Sequence, residues 1–570
     1  MAYRRSSIRR IQYYHQNYCS LCITGCFGCR WKRYKQSKMP NSKCDRTWFV
    51  LLLLLTIFVG MSLYFWLVVY NDFDSVNWYI FEIVLSWFNW YAVIFGITAA
   101  IFIYFILLTI FALCHVTFQY QLFMHYLHRV LLVLFAAVAL AAISVISHIA
   151  VYEWTLFTLS IHITGPFIQI GAVCLMTLLS WLMAGQWLRI RTKGLKIFWS
   201  VAFIVWMLFL YLSPLLVSSP CVCQSSHLPA KPQIIGHRGN AAFAPENTLA
   251  SFESAVQHGA VALESDVRVS SDGVAFMLHD DKLLRTTNVQ KIFPDRVNEL
   301  AVRFNISDLL KLDAGSFFLQ KDPYGTVGSL TNEQIVDYKK QEIPTLLRYL
   351  KYANRTKKSV MFDIKSGYKD ELHPFYGLHA NITAETIKKS GIPLEKVLWL
   401  EDSGDVGALQ LTGVKKVIEG RKGVRYILNS NAKYVNSKYS DLTLDDIREL
   451  RRNNITVIMY VIDSVWLYSL YWCSGVSMVI TNRVTTLSDM NAPLWRMSPT
   501  TYLIIWIIVD SISLIAIVLI FIAQRFKLLP VLRSPVGGGG RGGRRAALPR
   551  RVIPLRDRRN DRQIKQKLVI

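Results

Sequence analysis

A multi-pass α-helical membrane protein carrying one α/β TIM-barrel domain on its extracytoplasmic side is the architecture expected of these 570 residues. Three observations lead there. Apolar runs long enough to cross a bilayer recur along the chain. The positive charge gathers in the segments that lie on one side of those runs. The one long segment between them alternates β-rich stretches with helical patterns.

The first apolar run, 48–70, contains no charged residue and follows a basic N-terminal segment. A membrane-crossing helix needs about 20 residues, and the run has no small-residue cleavage site at its end, so it reads as a retained anchor. Further runs cover 91–113, 130–150, 162–184, 197–217 and 502–523, six in all. The first five contain no Asp, Glu, Lys or Arg, which argues against an ion-coupled carrier.

Orientation follows from the flanks. Residues 1–46 hold eleven Lys/Arg against one acid, and 524–570 hold fourteen against two. The 71–90 loop holds no base and the acids Asp72, Asp74 and Glu82, whereas 185–196 carries Arg189, Arg191, Lys193 and Lys196. Both termini are therefore expected in the cytosol, with 218–501 outside or in a lumen; the plasma membrane is the favoured residence. The formal net charge of +26 divides into +27 on the cytosolic segments and only +4 on 218–501. No nucleic acid partner is expected; the basic segments face anionic lipid instead. The domains are then a basic segment 1–46, five spans within 47–217, the outer domain 218–501, a sixth span 502–523 and a basic tail 524–570. All four Asn-x-Ser/Thr acceptors, Asn305, Asn354, Asn381 and Asn454, fall in 218–501 and are expected to be glycosylated.

Cysteines divide by compartment. Cys19, Cys22, Cys26 and Cys29 stand beside the basic anchor, where the gaps are too short for a zinc ribbon and palmitoylation is the favoured expectation. Outside, Cys221, Cys223 and Cys473 are odd in number, so at most one internal bridge leaves a thiol over.

In the outer domain, strands are expected at 233–236, 262–269, 274–279, 360–364, 397–400, 414–418, 434–436, 456–462 and 478–481. Helices are expected at 248–258, 346–352, 384–390 and 444–453. About eight β/α units in this length match a TIM barrel, whose active sites sit at the C-terminal strand ends. Chemistry-bearing residues collect there. His237 and Arg238 follow the first strand, Glu264 and Asp266 share one face of the second, His279 ends the third, and Asp363 and Lys365 lie on the fourth. Three carboxylates supply hard oxygen ligands for Ca²⁺ or Mg²⁺. Two imidazoles suit proton transfer near neutral pH, Arg238 suits a bidentate phosphate clamp, and Lys365 adds a point charge. Singly, each residue has a structural explanation, and Asp280 and Asp281 read as loop acids. Together they point to metal-assisted phosphoryl chemistry.

The motifs Gly-His-Arg-Gly (236–239), Ala-Pro-Glu-Asn-Thr (244–248), Glu-Ser-Asp-Val (264–267), Asp-Gly-x5-His-Asp (272–280), Arg-Thr-Thr (285–287), Leu-Asp-Ala-Gly-Ser (312–316) and Ile-Pro-Thr-Leu (343–346) closely resemble those of glycerophosphodiester phosphodiesterases. Five spans, a catalytic domain and one further span resemble the six-transmembrane subfamily. The resemblance implies a TIM barrel, a divalent metal on Glu264, Asp266 and Asp363, and His237 and His279 as the acid–base pair. It implies attack by the substrate's own glycerol hydroxyl on phosphorus, followed by hydrolysis of a cyclic phosphate. Substrates implied are glycerophosphoinositol, glycerophosphocholine or a similar diester, or a glycosylphosphatidylinositol anchor; no feature indicates an oligomeric state. Two positions depart from the family pattern: Asp363 where a Glu is common, and Asn482 where Thr-Asp is usual. They keep open a second reading, a catalytically impaired barrel acting as a surface binding or signalling protein.

Overall fold

The computed structural model describes residues 13–14, 18–29, 31, 36–37, 41–84, 86–118, 120–149, 153–216, 218–365, 373–403, 410–430 and 432–526. Half of the basic segment 1–46, the Cys19 side chain and nearly all of the tail 524–570 lie outside the described residues.

Among the described residues, six helices are long and apolar enough to cross a membrane. Their ranges are Lys43–Val69, Trp90–Phe118, Tyr126–Ile149, Glu153–Arg189, Lys193–Leu212 and Pro499–Phe526, here spans 1 to 6. Span 1 opens on a capping box in which Ser42 and Asp45 satisfy each other's backbone donors. Small hydroxyls join neighbours inside the bundle. Thr56 Oγ1 lies 2.8 Å from Thr109 Oγ1 between spans 1 and 2, and Thr177 Oγ1 lies 2.6 Å from Ser513 Oγ between spans 4 and 6. The 71–90 segment is not the loop expected of it. Beyond span 1 the chain makes a turn at Tyr70–Asp72 and then a helix, Phe73–Val84, with Asp74 in its first turn.

Within 218–501 the chain forms a closed barrel. Its strands are β1 (Gln233–Gly236), β2 (Ala262–Val269), β3 (Ala275–Met277), β4 (Ser359–Ile364), β5 (Val397–Leu400), β6 (Lys415–Glu419), β7 (Tyr434–Lys438), β8 (Thr456–Tyr460) and β9 (Met478–Thr481). Eight are parallel neighbours in a ring, β1-β2-β4-β5-β6-β7-β8-β9, closed by pairing of β9 with β1. The expected third barrel strand is a correction. β3 runs antiparallel on the edge of β2, with Val267 opposite Met277, and takes no place in the ring. The reason is the connection. Ser270–Val274 closes on itself, with Gly273 at φ +81° and Ser270 N bonded to Val274 O at 3.0 Å. A parallel return needs a dozen residues or more, so this short turn admits only an antiparallel strand.

Alternation along the strands builds two apolar layers. Ile235, Ala262, Met361, Leu398, Val417, Ile458 and Ile480 fill the barrel interior beneath its C-terminal mouth. The opposite strand faces meet the surrounding helices in a larger core, which also takes in Leu156, Leu159 and Ile163 of span 4. Membrane bundle and barrel thus share one core. The helix Val465–Ser474 sits in that shared layer with residues Leu467 to Ser474 all buried, so its sequence shows no amphipathic period. A disulfide joins Cys221 to Cys473, leaving Cys223 free.

Polar contacts fasten the mouth of the barrel to the barrel-side ends of the spans. Asn71 Nδ2 donates to Val461 O at 3.0 Å, Tyr439 OH to Asp72 Oδ2 at 2.5 Å, and Tyr324 OH to Asp74 Oδ2 at 2.9 Å. Trp87 Nε1 adds a bond to Lys321 O at 2.6 Å.

Candidate active site

A tight turn after β1 delivers His237 and Arg238 to the mouth. Arg238 adopts φ +52° and Gly239 φ +91°, and a Cβ on Gly239 would lie 2.3 Å from Ser251 Oγ, so glycine is required there. The turn is tied to its neighbours: His237 N donates to Thr481 O at 2.9 Å, and Arg238 N donates to Glu264 Oε2 at 3.0 Å.

The His237 side chain is only 17% exposed. Its Nδ1 lies 2.8 Å from Asn482 Oδ1, and its Nε2 lies 3.9 Å from Glu264 Oε2. Burial, and then the adjacent Arg238 guanidinium, push its pKa down to about 3, so the ring is neutral at physiological pH. An amide oxygen only accepts, so Nδ1 carries the hydrogen and Nε2 presents a lone pair.

His279 stands at the rim, 36% exposed, past the end of β3 and not at a barrel strand. Its Nδ1 lies 2.8 Å from Asp280 Oδ1. Asp280 is no idle loop acid: Arg285 grips it with Nε at 2.5 Å and Nη2 at 2.8 Å. The same guanidinium places Nη1 and Nη2 each 2.7 Å from the two oxygens of Glu246. Arg238 Nη1 donates to Glu246 Oε1 at 2.9 Å, so a continuous chain of charges joins Arg238 to His279. Burial alone would raise the Glu246 carboxyl, but Arg285 and Arg238 outweigh it and hold it down to about 2. Arg268, two residues beyond Asp266 on β2, donates Nη2 to His279 O at 2.6 Å and pairs with Asp281 at 2.8 Å, which anchors the loop.

The three carboxylates lie on adjacent strands. Glu264 and Asp266 share the inner face of β2, and Asp363 on β4 stands directly opposite Asp266. Burial and the neighbouring Asp266 push Glu264 up to about 8, whereas Asp266 is held below the usual carboxylate range, His279, Arg238 and Lys365 outweighing its burial. Asn247 Nδ2 donates to Asp266 Oδ2 at 3.1 Å, and Arg238 Nε lies 3.3 Å from the same oxygen. Lys365 bridges the pair: its Nζ bonds Asp363 Oδ2 and lies 3.3 Å from Asp266 Oδ1. Among the described residues no three His, Cys, Asp or Glu are already grouped as a cage. The donor chemistry nevertheless suits a hard divalent cation, because Glu264 and Asp266 on one strand face and Asp363 opposite Asp266 on the next strand all offer carboxylate oxygens.

Several residues here went unassigned in the sequence reading. Glu246 and Arg285 lie inside the quoted motifs, and those motifs were their signal. Glu419, at the end of β6, also reaches the mouth, and burial and then Asp402 push it up to about 7. Asp463 had no local signal; it bonds Asn482 and Thr481 from the loop after β8.

A mouth of this kind belongs to a hydrolase acting on phosphate esters. Comparison with known proteins agrees. Residues 237–391 match the model of the glycerophosphoryl diester phosphodiesterase family. Glycerophosphodiester phosphodiesterase domain-containing protein 5 of Gallus gallus is 36% identical over 517 residues, spanning 90% of this chain and 86% of the relative. Glycerophosphoinositol inositolphosphodiesterase GDPD2 of Mus musculus is 35% identical over 510 residues, spanning 89% and 94%. A solved phosphodiesterase of Oleispira antarctica, in complex with the product sn-glycerol-3-phosphate, aligns with a TM-score of 0.36 and 22% identity over 45% of this chain and 96% of that one. The chain belongs to this family, as a glycerophosphodiester phosphodiesterase of the six-transmembrane subfamily.

Proposed function

We propose that the barrel hydrolyses glycerophosphodiesters on the extracytoplasmic side of the plasma membrane, using His237 and His279 as its acid–base pair. The observation that carries this is the convergence at one barrel mouth of two imidazoles, each held at Nδ1, with a guanidinium between flanking carboxylates.

His237 is the base of the first step. Its neutral ring offers Nε2 to the glycerol hydroxyl beside the phosphate. As that oxygen attacks phosphorus, His279 protonates the departing alcohol, and Asp280 holds its ring in line. Arg238 steadies the charge on the phosphate oxygens. Water then opens the cyclic phosphate with the two histidines in exchanged roles. Glu264, Asp266 and Asp363 would hold a divalent ion, Ca²⁺ or Mg²⁺, with Lys365 moving from between Asp266 and Asp363 to the phosphate. Such an ion supplies Lewis-acid stabilisation of the phosphate's negative charge.

Glycerophosphoinositol and glycerophosphocholine are the soluble substrates in view. A glycosylphosphatidylinositol anchor fits the same chemistry, and the seating of the mouth against the ends of spans 1 and 4 supports a site near a lipid surface. The asymmetry of basic residues supports cytosolic termini, where the Cys19, Cys22, Cys26 and Cys29 cluster is a lipidation site and the basic segments meet anionic lipid. The Cys221–Cys473 bridge supports an oxidising compartment for the barrel. Asn305, Asn381 and Asn454 are exposed as glycan acceptors require, whereas Asn354 is half-buried and its Nδ2 donates to Gly391 O at 3.2 Å. Glycosylation is accordingly expected at the first three.

The test is turnover by the full chain in lipid nanodiscs. It is offered glycerophosphoinositol, glycerophosphocholine and an anchored protein, each with Ca²⁺, Mg²⁺ or chelator. Release of the alcohol that chelator abolishes is the expected result. Silence toward every diester under all metals would favour the binding-protein reading.

A further inference from the structure

The proposed role of His237 depends on which of its nitrogens carries the hydrogen, and a chain of polar groups reaching into the membrane domain decides that. Asn482 faces His237 Nδ1 with its Oδ1 at 2.8 Å. Its Nδ2 lies 2.6 Å from Asp463 Oδ2. The other Asp463 oxygen accepts from Thr481 Oγ1 and from Asn482 N, each at 2.8 Å. Every neighbour bonded to this carboxylate is thus a donor. The amide of Asn482 must turn its nitrogen toward Asp463 and its oxygen toward His237.

Asp463 is itself held from the membrane side. Asn71, fully buried in the turn that ends span 1, accepts at Oδ1 from Asp463 N at 2.9 Å and from Ser464 N at 3.0 Å. Its Nδ2 donates to Val461 O at 3.0 Å, so one side chain holds residues 461, 463 and 464 of the loop after β8.

We propose that Asp463 is a positioning residue for His237, acting through Asn482 to keep the hydrogen on Nδ1, and that Asn71 of the membrane domain seats Asp463 for this task. This rests on His237 acting as a base in diester hydrolysis. It also gives the Asn482 departure a physical meaning. The carboxylate that the family pattern would put at position 482 is present one residue further back along the hydrogen-bond chain, as Asp463.

The donor–acceptor logic yields an exchange experiment. Asp463→Asn sets an NH₂ against the NH₂ of Asn482. Asn482 is then driven to flip, and its nitrogen turns on His237 Nδ1 and shifts the imidazole hydrogen to Nε2. The fold contacts survive, because the new amide oxygen still accepts from Thr481 and Asn482 N. The expected result is a fall in kcat of roughly 10²-fold with little change in KM. Adding Asn482→Asp restores complementarity: one oxygen of the new carboxylate accepts from His237 Nδ1, and the other from the new amide at 463. The double variant should recover most of the lost kcat. Asn71→Ala should lower kcat in the same direction, and Asn71→Asp, which keeps the Oδ1 acceptor, should lower it less.

All variants are measured as full chains in nanodiscs, with thermal unfolding alongside. An active wild type whose Asp463→Asn variant turns over normally would overturn the proposal. So would a double variant that melts like the wild type yet stays as slow as the single one. Silence of the wild type toward every diester would overturn the function proposed above together with this refinement.

Discussion

Arg285 shows how much of the site depends on a residue that need never touch substrate. Its fork holds Asp280 on one edge and Glu246 on another, and its guanidinium lies 4.9 Å from the Trp78 ring of the outer helix. Lysine has no planar fork and cannot satisfy both carboxylates. Arg285→Lys should therefore cost about tenfold or more in kcat, read by steady-state turnover, because His279 loses its aim. The same cluster sets an acid limit on stability. Glu246 is held down to about 2 in the fold, below its ordinary value near 4.5. A depressed folded pKa contributes stability that is complete above the unfolded value and is lost as pH falls toward the folded one. Melting temperature should thus drop between about pH 4.5 and 2, and Glu246→Gln should flatten part of that drop. At this scale the histidines, Arg238 and the β2 carboxylates were legible, since strand ends and i, i+2 spacing place them. Asp280 was not, because nothing in the local sequence says that an arginine five residues on turns back to clasp it.

Secondary structure was legible in several elements with one face to water, though the short helices Asn332–Tyr338 and Val424–Asn429 were not among those expected. The helix Leu444–Arg452 has Leu444, Ile447 and Leu450 inward and charges outward, and it was expected within a residue. Val465–Ser474, buried on every side by barrel and span 4, carries no such pattern and was missed. The place of β3 was misjudged for a different reason: Asp272-Gly273 is a turn signal, and its shortness should have excluded a parallel partner. Gly273 also sits at φ +81°, with a built Cβ only 2.7 Å from the Phe375 ring. Gly273→Ala should destabilise by roughly 1–3 kcal/mol, seen as a lower melting temperature. The bridge from Cys221 to Cys473 ties the entry of the barrel to the helix Val465–Ser474 across 252 residues. Replacing both cysteines with serine should cost about 2–5 kcal/mol, read in the same melting assay under non-reducing conditions.

As a whole, the molecule is one body built from two solvents' worth of sequence. Leu156, Leu159 and Ile163 of span 4 belong to the same core as the barrel helices, and Asn71, Asp72 and Asp74 grip the catalytic mouth. Leu156→Ala, a cavity in this shared layer, should lower stability by about 2–5 kcal/mol although the residue belongs to a membrane span. Sequence showed that both parts exist, through apolar run length and β/α alternation. Their docking was hidden, because the acids at 72, 74 and 153 serve equally well as an outer-side charge signature and as partners for Tyr439 and Tyr324. The central claim remains that this membrane-seated barrel cleaves glycerophosphodiesters with His237 and His279. The direct measurement is hydrolysis of glycerophosphoinositol by the full chain and by its His237→Ala and His279→Ala variants, at matched melting temperature. Each substitution should slow turnover by roughly 10²–10⁴-fold. Near-wild-type turnover in either variant would contradict the account.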